Sequence, residues 1–163
     1  MLNLPATMTH EVAPACLSEL RDGLQHEAGT VVIDGTEAVT QRDVRAFQQQ
    51  LAEWEHQGKN TIHIVGELDC DATDWLEHHD AVGRLAVRFN VFRIISVGDG
   101  ARHVHNAAGL EGSWDGQSLL VSSLDDAYDE VSRLRGPQTV VLITGSPVTP
   151  MTDLVATVKG DSA

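Results

Sequence analysis

The stretch TVVIDGTEAVT, residues 30–40, decides the fold class of this chain. It opens with a short β-branched apolar run that stops at Asp34 and Gly35. After a polar loop, a helical pattern runs from Gln41 to Glu55. A buried parallel strand, a ligand-facing loop at its carboxyl end and a crossover helix follow one another in this order. The stretch therefore predicts one strand–helix unit of an α/β domain.

The same order of elements recurs along the chain. Further strands are predicted at 61–65, 92–97, 119–122 and 139–143, with helices at about 74–90, 100–107, 123–134 and 150–158. Thr40 and Ser123 are expected to be helix N-caps. Alternating strands and helices predict a three-layer, Rossmann-like α/β domain over residues 29–163, with a mostly parallel sheet of five to six strands. Residues 1–28 are expected to form a lead-in segment that is partly helical.

Composition and charge narrow the range of partners. At 163 residues the chain is expected to be one domain with a sizeable core, and 42% hydrophobic residues against 21% charged residues is ordinary for a globular protein. The formal net charge of -13 would repel nucleic acid and anionic membrane surfaces. Two cysteines, Cys16 and Cys70, are too few for a disulfide framework. With no signal peptide and no apolar run near the ~20 residues of a bilayer span, the expected location is cytoplasmic.

Common nucleotide-binding and nucleophile motifs are missing. The chain has no G-x-x-x-x-G-K-[ST] phosphate loop, and Gly98-Asp99-Gly100 lacks the third glycine of a dinucleotide fingerprint. Ser146 follows Gly145 without the G-x-S-x-G elbow of a nucleophilic serine. No catalytic residue is therefore predicted.

Residue types that bind metals occur close together, but their spacing argues against a metal site. Adjacent helical histidines such as His78 and His79 point about 100° apart and cannot easily share one ion. His103 and His105 are likewise expected at the surface. The residues from 69 to 79 that could bind a metal are expected to belong to a solvated polar loop, and they are Asp69, Cys70, Asp71, His78 and His79.

The helix at 74–90 is expected to bury one apolar face. The predicted positions of that face are Leu76, Val82, Leu85 and Phe89.

Five short motifs follow one another at the predicted strand ends and helix starts. They are Asp34 to Gln41, Ile64 to Leu68, His79-Asp80-Ala81-Val82-Gly83, Val97-Gly98, and Val141 to Pro147 with Met151-Thr152 beyond. Their order and spacing from Gly29 to Val158 resemble the carboxyl-terminal domain of the Mur ligases. Within that family the resemblance is to the enzymes that add D-alanyl-D-alanine to a UDP-N-acetylmuramoyl-tripeptide in peptidoglycan synthesis.

The resemblance implies a domain that closes over nucleotide and acceptor peptide held by other domains. ATP and magnesium would belong to the full-length enzyme, and none is expected to bind to this chain alone. The implied partners are the other Mur ligase domains or cell-wall synthesis proteins. The family-like polar positions become candidate ligand-binding residues, expected to converge on one edge of the sheet, and they are Asp34, Thr36, Glu67, His79 and Ser146.

The chain departs from the family pattern in the same loops. Gly35 stands in place of the second aspartate, and Ala38 and Thr40 replace two asparagines. Thr144 replaces the lysine of the K-G-S motif, and Pro147 replaces the arginine after it. Losing two cations and two amides removes donors for a carboxylate or a phosphate.

Three interpretations stay open from the sequence. The chain is a Mur ligase carboxyl-terminal domain without activity of its own, a free-standing degenerate homologue that binds a small ligand or a cell-wall protein, or an unrelated small α/β enzyme. The five motifs argue against the third interpretation. Met1 and the polar ending from Gly160 to Ala163 are compatible with a complete gene product, and the lost polar residues favour degeneracy.

Overall fold

A computed structural model describes residues 29–38 and 40–160, so the predicted lead-in segment at 1–28 lies outside the described residues. Within these ranges the strands are β1 (Val31–Gly35), β2 (Asn60–Val65), β3 (Arg93–Val97), β4 (Gln117–Val121) and β5 (Thr139–Thr144). The helices are α1 (Gln41–His56), α2 (Trp75–Arg88), α3 (Arg102–Leu110), α4 (Leu124–Leu134) and α5 (Met151–Gly160). A 3-10 turn, Asp99–Ala101, precedes α3. Every strand and helix predicted within these ranges is present, with ends shifted by a few residues.

In the part of the chain that the structure describes, the sheet has five strands in the order β1-β5-β2-β3-β4, and every neighbouring pair is parallel. Parallel strands place their carboxyl ends on the same edge of the sheet. In register, Gly35 lies beside Thr144, and Thr144 lies beside Val65, so the exits of β1, β5 and β2 are adjacent. The predicted α/β fold with a mostly parallel sheet is confirmed.

Two apolar cores lie on the two faces of the sheet. One face packs against α1, α2 and α3, whose buried residues include Val44, Val82 and Val104. The other packs against α4 and α5 through residues such as Val131 and Leu154. Fully burying an aliphatic side chain of this size contributes about 1.5–3 kcal/mol. The three-layer arrangement follows, because strands buried on both faces need helices on both sides.

Two helices are N-capped by side chains that lie near the strand exits. Thr40 accepts a hydrogen bond from the Asp43 amide, and the Asp43 carboxylate accepts one from the Thr40 amide at 3.1 Å, which completes a capping box. Ser123 accepts from the Asp126 amide at 3.1 Å. Both predicted N-caps are confirmed.

The predicted apolar face of α2 is wrong at Leu76, which is 51% exposed. Leu76 and Val82 are six residues apart, and at 100° per residue their side chains point about 120° apart around the helix. His79, three residues before Val82, shares the buried face and is fully buried there. The buried face of α2 therefore includes a polar residue that the apolar pattern did not assign to it.

Candidate functional site at the carboxyl edge of the sheet

The loops after β2 and β5 are joined by their backbones. The Ser146 amide donates to the Glu67 carbonyl at 2.9 Å. Ser146 is 3% exposed, and its hydroxyl accepts from the Val148 amide at 3.3 Å. Its carbonyl also accepts from the Thr149 amide. The Ser146 hydroxyl therefore stabilises the turn that leads to α5.

The Glu67 side chain crosses from the exit of β2 to the exit of β3. A Cβ added at Gly100 would overlap the Glu67 carboxylate and lie 2.7 Å from the Glu67 Cβ. Glycine at position 100 is therefore what allows this close approach. Glu67 is half-buried, and its carboxylate lies between the loops after β2 and β3.

Asp34 and Thr36 form a turn at the end of β1. The Asp34 carboxylate accepts from the Thr36 amide at 3.1 Å and from the Thr36 hydroxyl at 2.7 Å. Such side-chain to backbone bonds replace a backbone turn. The alternative role of these residues, fixing a local turn, is therefore visible in the structure.

A cation from a distant part of the chain also approaches this turn. Lys159 of α5 places its Nζ 3.9 Å from the Asp34 Oδ2, with both side chains partly exposed. Such an exposed pair stabilises a protein by about 0–1 kcal/mol. The sequence does not reveal this contact because it joins two distant segments of the chain.

His79 is fully buried and both of its ring nitrogens contact backbone groups. Its Nε2 accepts from the Leu68 amide at 3.0 Å, and its Nδ1 lies 2.6 Å from the Trp75 carbonyl. The proton therefore belongs on Nδ1, which donates to that carbonyl. Burial lowers the pKa of His79, against the opposing effects of the Trp75 carbonyl and of Glu67. The expectation that His79 is part of a solvated polar loop is wrong, because the residue anchors the loop after β2 to α2.

The two histidines of α3 are half-buried, which corrects their expected surface position. The His103 ring meets the edge of Trp75 at 5.1 Å between centroids, and Trp75 also packs against His79 at 4.3 Å. The His105 Nδ1 lies 2.8 Å from the Ser118 hydroxyl of β4. The His103 ring therefore lies between α3 and α2, and the His105 ring lies between α3 and β4.

The five candidate residues all lie at the carboxyl edge, but the structure brings them together in two groups. Glu67 and Ser146 are joined through their backbones, and His79 holds the amide next to Glu67. Asp34 and Thr36 contact each other, and Asp34 faces Lys159 of the α4/α5 layer, whereas His79 belongs to the opposite layer. Their convergence on one ligand stays a prediction.

A buried polar chain, which the sequence patterns did not identify, lies beneath this edge. The Thr144 hydroxyl is 2.8 Å from the His63 Nε2, and the Gln48 Nε2 is 3.4 Å from the His63 Nδ1. Gln48 also donates to the Val82 carbonyl at 2.9 Å. All three side chains are fully buried. A lone histidine among β-branched residues in β2, and a glutamine four residues after Val44 on the apolar face of α1, are the signals that could have revealed it.

Gly35 and Thr144, at the positions where the Mur ligase resemblance implies an aspartate and a lysine, pack against each other. A Cβ at Gly35 would lie 2.8 Å from the Thr144 Cγ2 and 3.1 Å from the Ile143 carbonyl oxygen. The Thr144 hydroxyl points to His63 in the interior. This position therefore presents neither a cation nor a carboxylate to solvent.

The buried His63 is expected to make stability depend on pH. Burial lowers the pKa of His63 from 6.5 to about 3. In the unfolded chain His63 is protonated as the pH falls below about 6.5, whereas in the folded chain it stays neutral until about pH 3. The free energy of unfolding therefore falls as the pH drops from 6.5 towards 3. The expected slope from this residue is about 1.4 kcal/mol per pH unit. Urea unfolding at pH 7, 6 and 5 measures it.

The matched variant for this pH dependence is His63→Gln, which keeps a polar side chain but cannot titrate. Its free energy of unfolding is expected to change less between pH 6.5 and 5 than that of the parent chain. The pKa of His79 is also lowered by burial, but His79 is present in both proteins, so the difference between the two pH profiles isolates His63. Parallel pH profiles for the two proteins would show that His63 is not the group responsible.

Metal and thiol chemistry have little support in the described residues. Within 29–38 and 40–160, no group of three or more histidine, cysteine, aspartate or glutamate side chains is arranged to hold a metal ion. Cys70 is half-buried, and burial, followed by Asp69 and other acidic neighbours, raises the pKa of its thiol. A thiol of raised pKa is a poor nucleophile at neutral pH.

Comparison with known proteins shows which proteins the chain resembles. The chain is 31% identical over 148 residues to the UDP-N-acetylmuramoyl-tripeptide--D-alanyl-D-alanine ligase of Mycobacterium leprae, an alignment that covers 83% of the chain. It is 37% identical over 91 residues to the ligase of the same name from Mycobacterium tuberculosis. Two crystal structures of MurF from Acinetobacter baumannii share the fold, with TM-scores of 0.67 and 0.66 at 19% and 20% identity. The chain is a MurF homologue and fits a Mur ligase carboxyl-terminal domain.

The relation to MurF covers only part of the larger proteins. The chain spans 29% of the Mycobacterium leprae ligase and 28% of each Acinetobacter baumannii MurF chain. No protein-family profile matches the sequence. Among the helices of the described residues, none is both long enough and apolar enough to cross a membrane. The MurF resemblance predicted from the five motifs is confirmed at the level of family and fold.

Proposed function

We propose that this chain is a Mur ligase carboxyl-terminal domain that has no ligase activity by itself and closes its carboxyl edge over substrates held elsewhere. The observation that carries the proposal is the pair Gly35 and Thr144. Thr144 stands where the family has a lysine, is fully buried and is hydrogen-bonded to His63. Phosphoryl transfer depends on cations and Mg²⁺ placed around the phosphate, and this position offers no cation.

The residues at this edge do not fit a complete ATP and magnesium site. Lys159, the cation observed beside Asp34, is 3.9 Å from that carboxylate and belongs to the opposite side of β1 from the α1–α3 layer. Among the described residues no acidic cluster is arranged for a metal ion. ATP and magnesium are accordingly assigned to the other domains of the full-length family enzyme, and no cofactor to this chain alone.

Exposed apolar side chains at the same edge support a docking role. Val148, in the loop between β5 and α5, is 67% exposed, and Leu76, in the first turn of α2, is 51% exposed. Large apolar side chains mark a contact surface when they form one exposed patch, and the proposal places Val148 and Leu76 in the surface that meets the partner. The proposed partners are the other Mur ligase domains or cell-wall synthesis proteins in the cytoplasm, and the net charge of -13 disfavours nucleic acid and membranes.

A ligation assay tests the proposal. The purified chain is incubated with ATP, Mg²⁺, UDP-N-acetylmuramoyl-tripeptide and D-alanyl-D-alanine, and ADP release is followed. ADP formation is expected to match the no-enzyme control, whereas a full-length MurF run in parallel should turn over. Turnover by the chain alone would overturn the proposal.

The second candidate function is a free-standing degenerate homologue that binds a small ligand or a protein. The buried chain of Gln48, His63 and Thr144 favours it, because the family lysine has been replaced by an internal hydrogen bond. Calorimetric titration with ATP and with a D-alanyl-D-alanine peptide is expected to show only weak binding. Saturation at low micromolar ligand would instead indicate that the carboxyl edge of the sheet still binds ATP or the D-alanyl-D-alanine peptide tightly.

A further inference from the structure

β4 forms one edge of the sheet, and its outward backbone groups have no partner strand within residues 29–38 and 40–160. The Gln117 amide donates to the Phe92 carbonyl at 3.1 Å, and the Val121 carbonyl accepts from the Gly98 amide at 2.9 Å. Because backbone groups alternate in direction along a strand, Ser118 and Leu120 direct their amides and carbonyls away from β3. These are the groups that an added strand would bind.

The sequence of β4 does not protect this edge. Natural edge strands commonly carry a proline, a lysine, an inward charge or a bulge that blocks pairing with another chain. The strand Gln117-Ser118-Leu119-Leu120-Val121 contains none of these residues, and all five positions are exposed or half-exposed. Its register with β3 runs through all five residues without a bulge. The edge therefore remains a regular template.

An acidic groove runs beside this edge. Its volume is about 280 Å³, and it lies between Leu120, Val121 and Ser122 and the outer face of α4. That face contributes residues at helical spacing: Asp126, Asp129, Glu130 and Arg133. Arg133 is paired with Glu130, and Ser123 donates to Asp126, which leaves the exposed Asp129 facing the groove. Three carboxylates against one guanidinium make the groove negative.

We propose that the β4 edge binds an extended, basic segment of a partner protein by strand addition. In strand addition the backbone bonds supply affinity, and alternate side chains supply specificity. Here the outward groups of Ser118 and Leu120 would pair with the segment, and every second side chain, a lysine or arginine, would reach the carboxylates of α4. A second copy of this chain fits less well, because two chains of net charge -13 would bring their acidic α4 helices together. The proposal does not depend on the candidate residues at the exits of β1, β2 and β5 or on ligase activity.

Fluorescence anisotropy of the full chain with a labelled, end-blocked octapeptide of alternating lysine and valine tests the proposal. The control peptide has the same sequence with alternate backbone nitrogens methylated, so its charge is unchanged but it cannot pair as a strand. The parent peptide is expected to bind saturably and the methylated peptide roughly tenfold more weakly, because backbone hydrogen bonds are lost. Equal binding of the two peptides would overturn the proposal, as would no binding of either.

Variants of the chain locate the binding site. Leu120→Pro removes one outward amide without touching the bonds to β3, and edge strands tolerate proline there. It is expected to weaken peptide binding roughly tenfold. Asp129→Asn is expected to weaken it about threefold, while Asp125→Asn, which removes the same charge outside the groove, leaves it unchanged.

The two aspartate variants keep the test decisive if the proline variant does not fold. Equal effects of Asp129→Asn and Asp125→Asn would identify diffuse electrostatic attraction and contradict the assigned groove. Dimerisation of the unliganded chain that Leu120→Pro abolishes, measured by sedimentation velocity, would show a second copy as the occupant and would also overturn the proposal.

Discussion

Replacing Gly83 by alanine is expected to lower the free energy of unfolding by about 3 kcal/mol. Gly83 is buried in α2 where that helix meets α3. A Cβ at this position would overlap the carbonyl oxygen of Val104 and lie 3.2 Å from the Ala107 Cβ. Backbone cannot rotate away as a flexible side chain can, so α2 and α3 must separate. The loss of packing outweighs the gain of about 1 kcal/mol that alanine brings to a helix interior.

Gly109→Ala is the matched control for this prediction. Gly109 also lies in a helix, α3, but a Cβ there would have no heavy atom of the described part of the chain within 4 Å. The free energy of unfolding is expected to rise by about 0.4–1 kcal/mol, because alanine restricts the unfolded chain. Urea unfolding of the three proteins measures both changes. Similar stabilities for the two variants would mean that α2 and α3 are not in close contact at Gly83.

Replacing His79 by alanine is expected to cost about 3 kcal/mol of stability. The change removes a fully buried ring and leaves a cavity beside Trp75. It also removes the acceptor of the Leu68 amide, a group buried with the loop after β2. An unsatisfied buried donor alone costs about 1–3 kcal/mol.

His78→Ala is the control, since it makes the same chemical change one residue earlier. The His78 Nδ1 is buried and has no hydrogen-bond partner within residues 29–38 and 40–160, so its removal is expected to change stability by less than about 1 kcal/mol. Thermal unfolding at pH 7 compares the two variants, and hydrogen exchange of the Leu68 amide reports the lost bond directly. If His79→Ala were as stable as His78→Ala, the anchoring role of His79 would be wrong.

Some features of the site could be predicted from local sequence, and others could not. The polar residues at strand exits were found because apolar runs end abruptly at Asp34 and Gly66. The role of His79 could not be predicted, because its partners are backbone groups of Leu68 and Trp75. Residue identity does not report such bonds. The MurF family resemblance pointed to the candidate positions, and the geometry shows that Asp34, Thr36 and Ser146 fix turns. Their role in ligand binding stays a prediction.

The sequence by itself determined the alternation of strands and helices, the caps at Thr40 and Ser123, and the α/β class. These features depend on residues close together in the chain, where periodicity and hydrogen-bonding side chains act locally. Only the tertiary structure decided that β5 lies between β1 and β2. That insertion brings Thr144 to His63 and Gly35, and α5 packed beside β1 brings Lys159 to Asp34. Such contacts depend on which distant segments pack together to bury both faces of the sheet, and no local pattern encodes that choice.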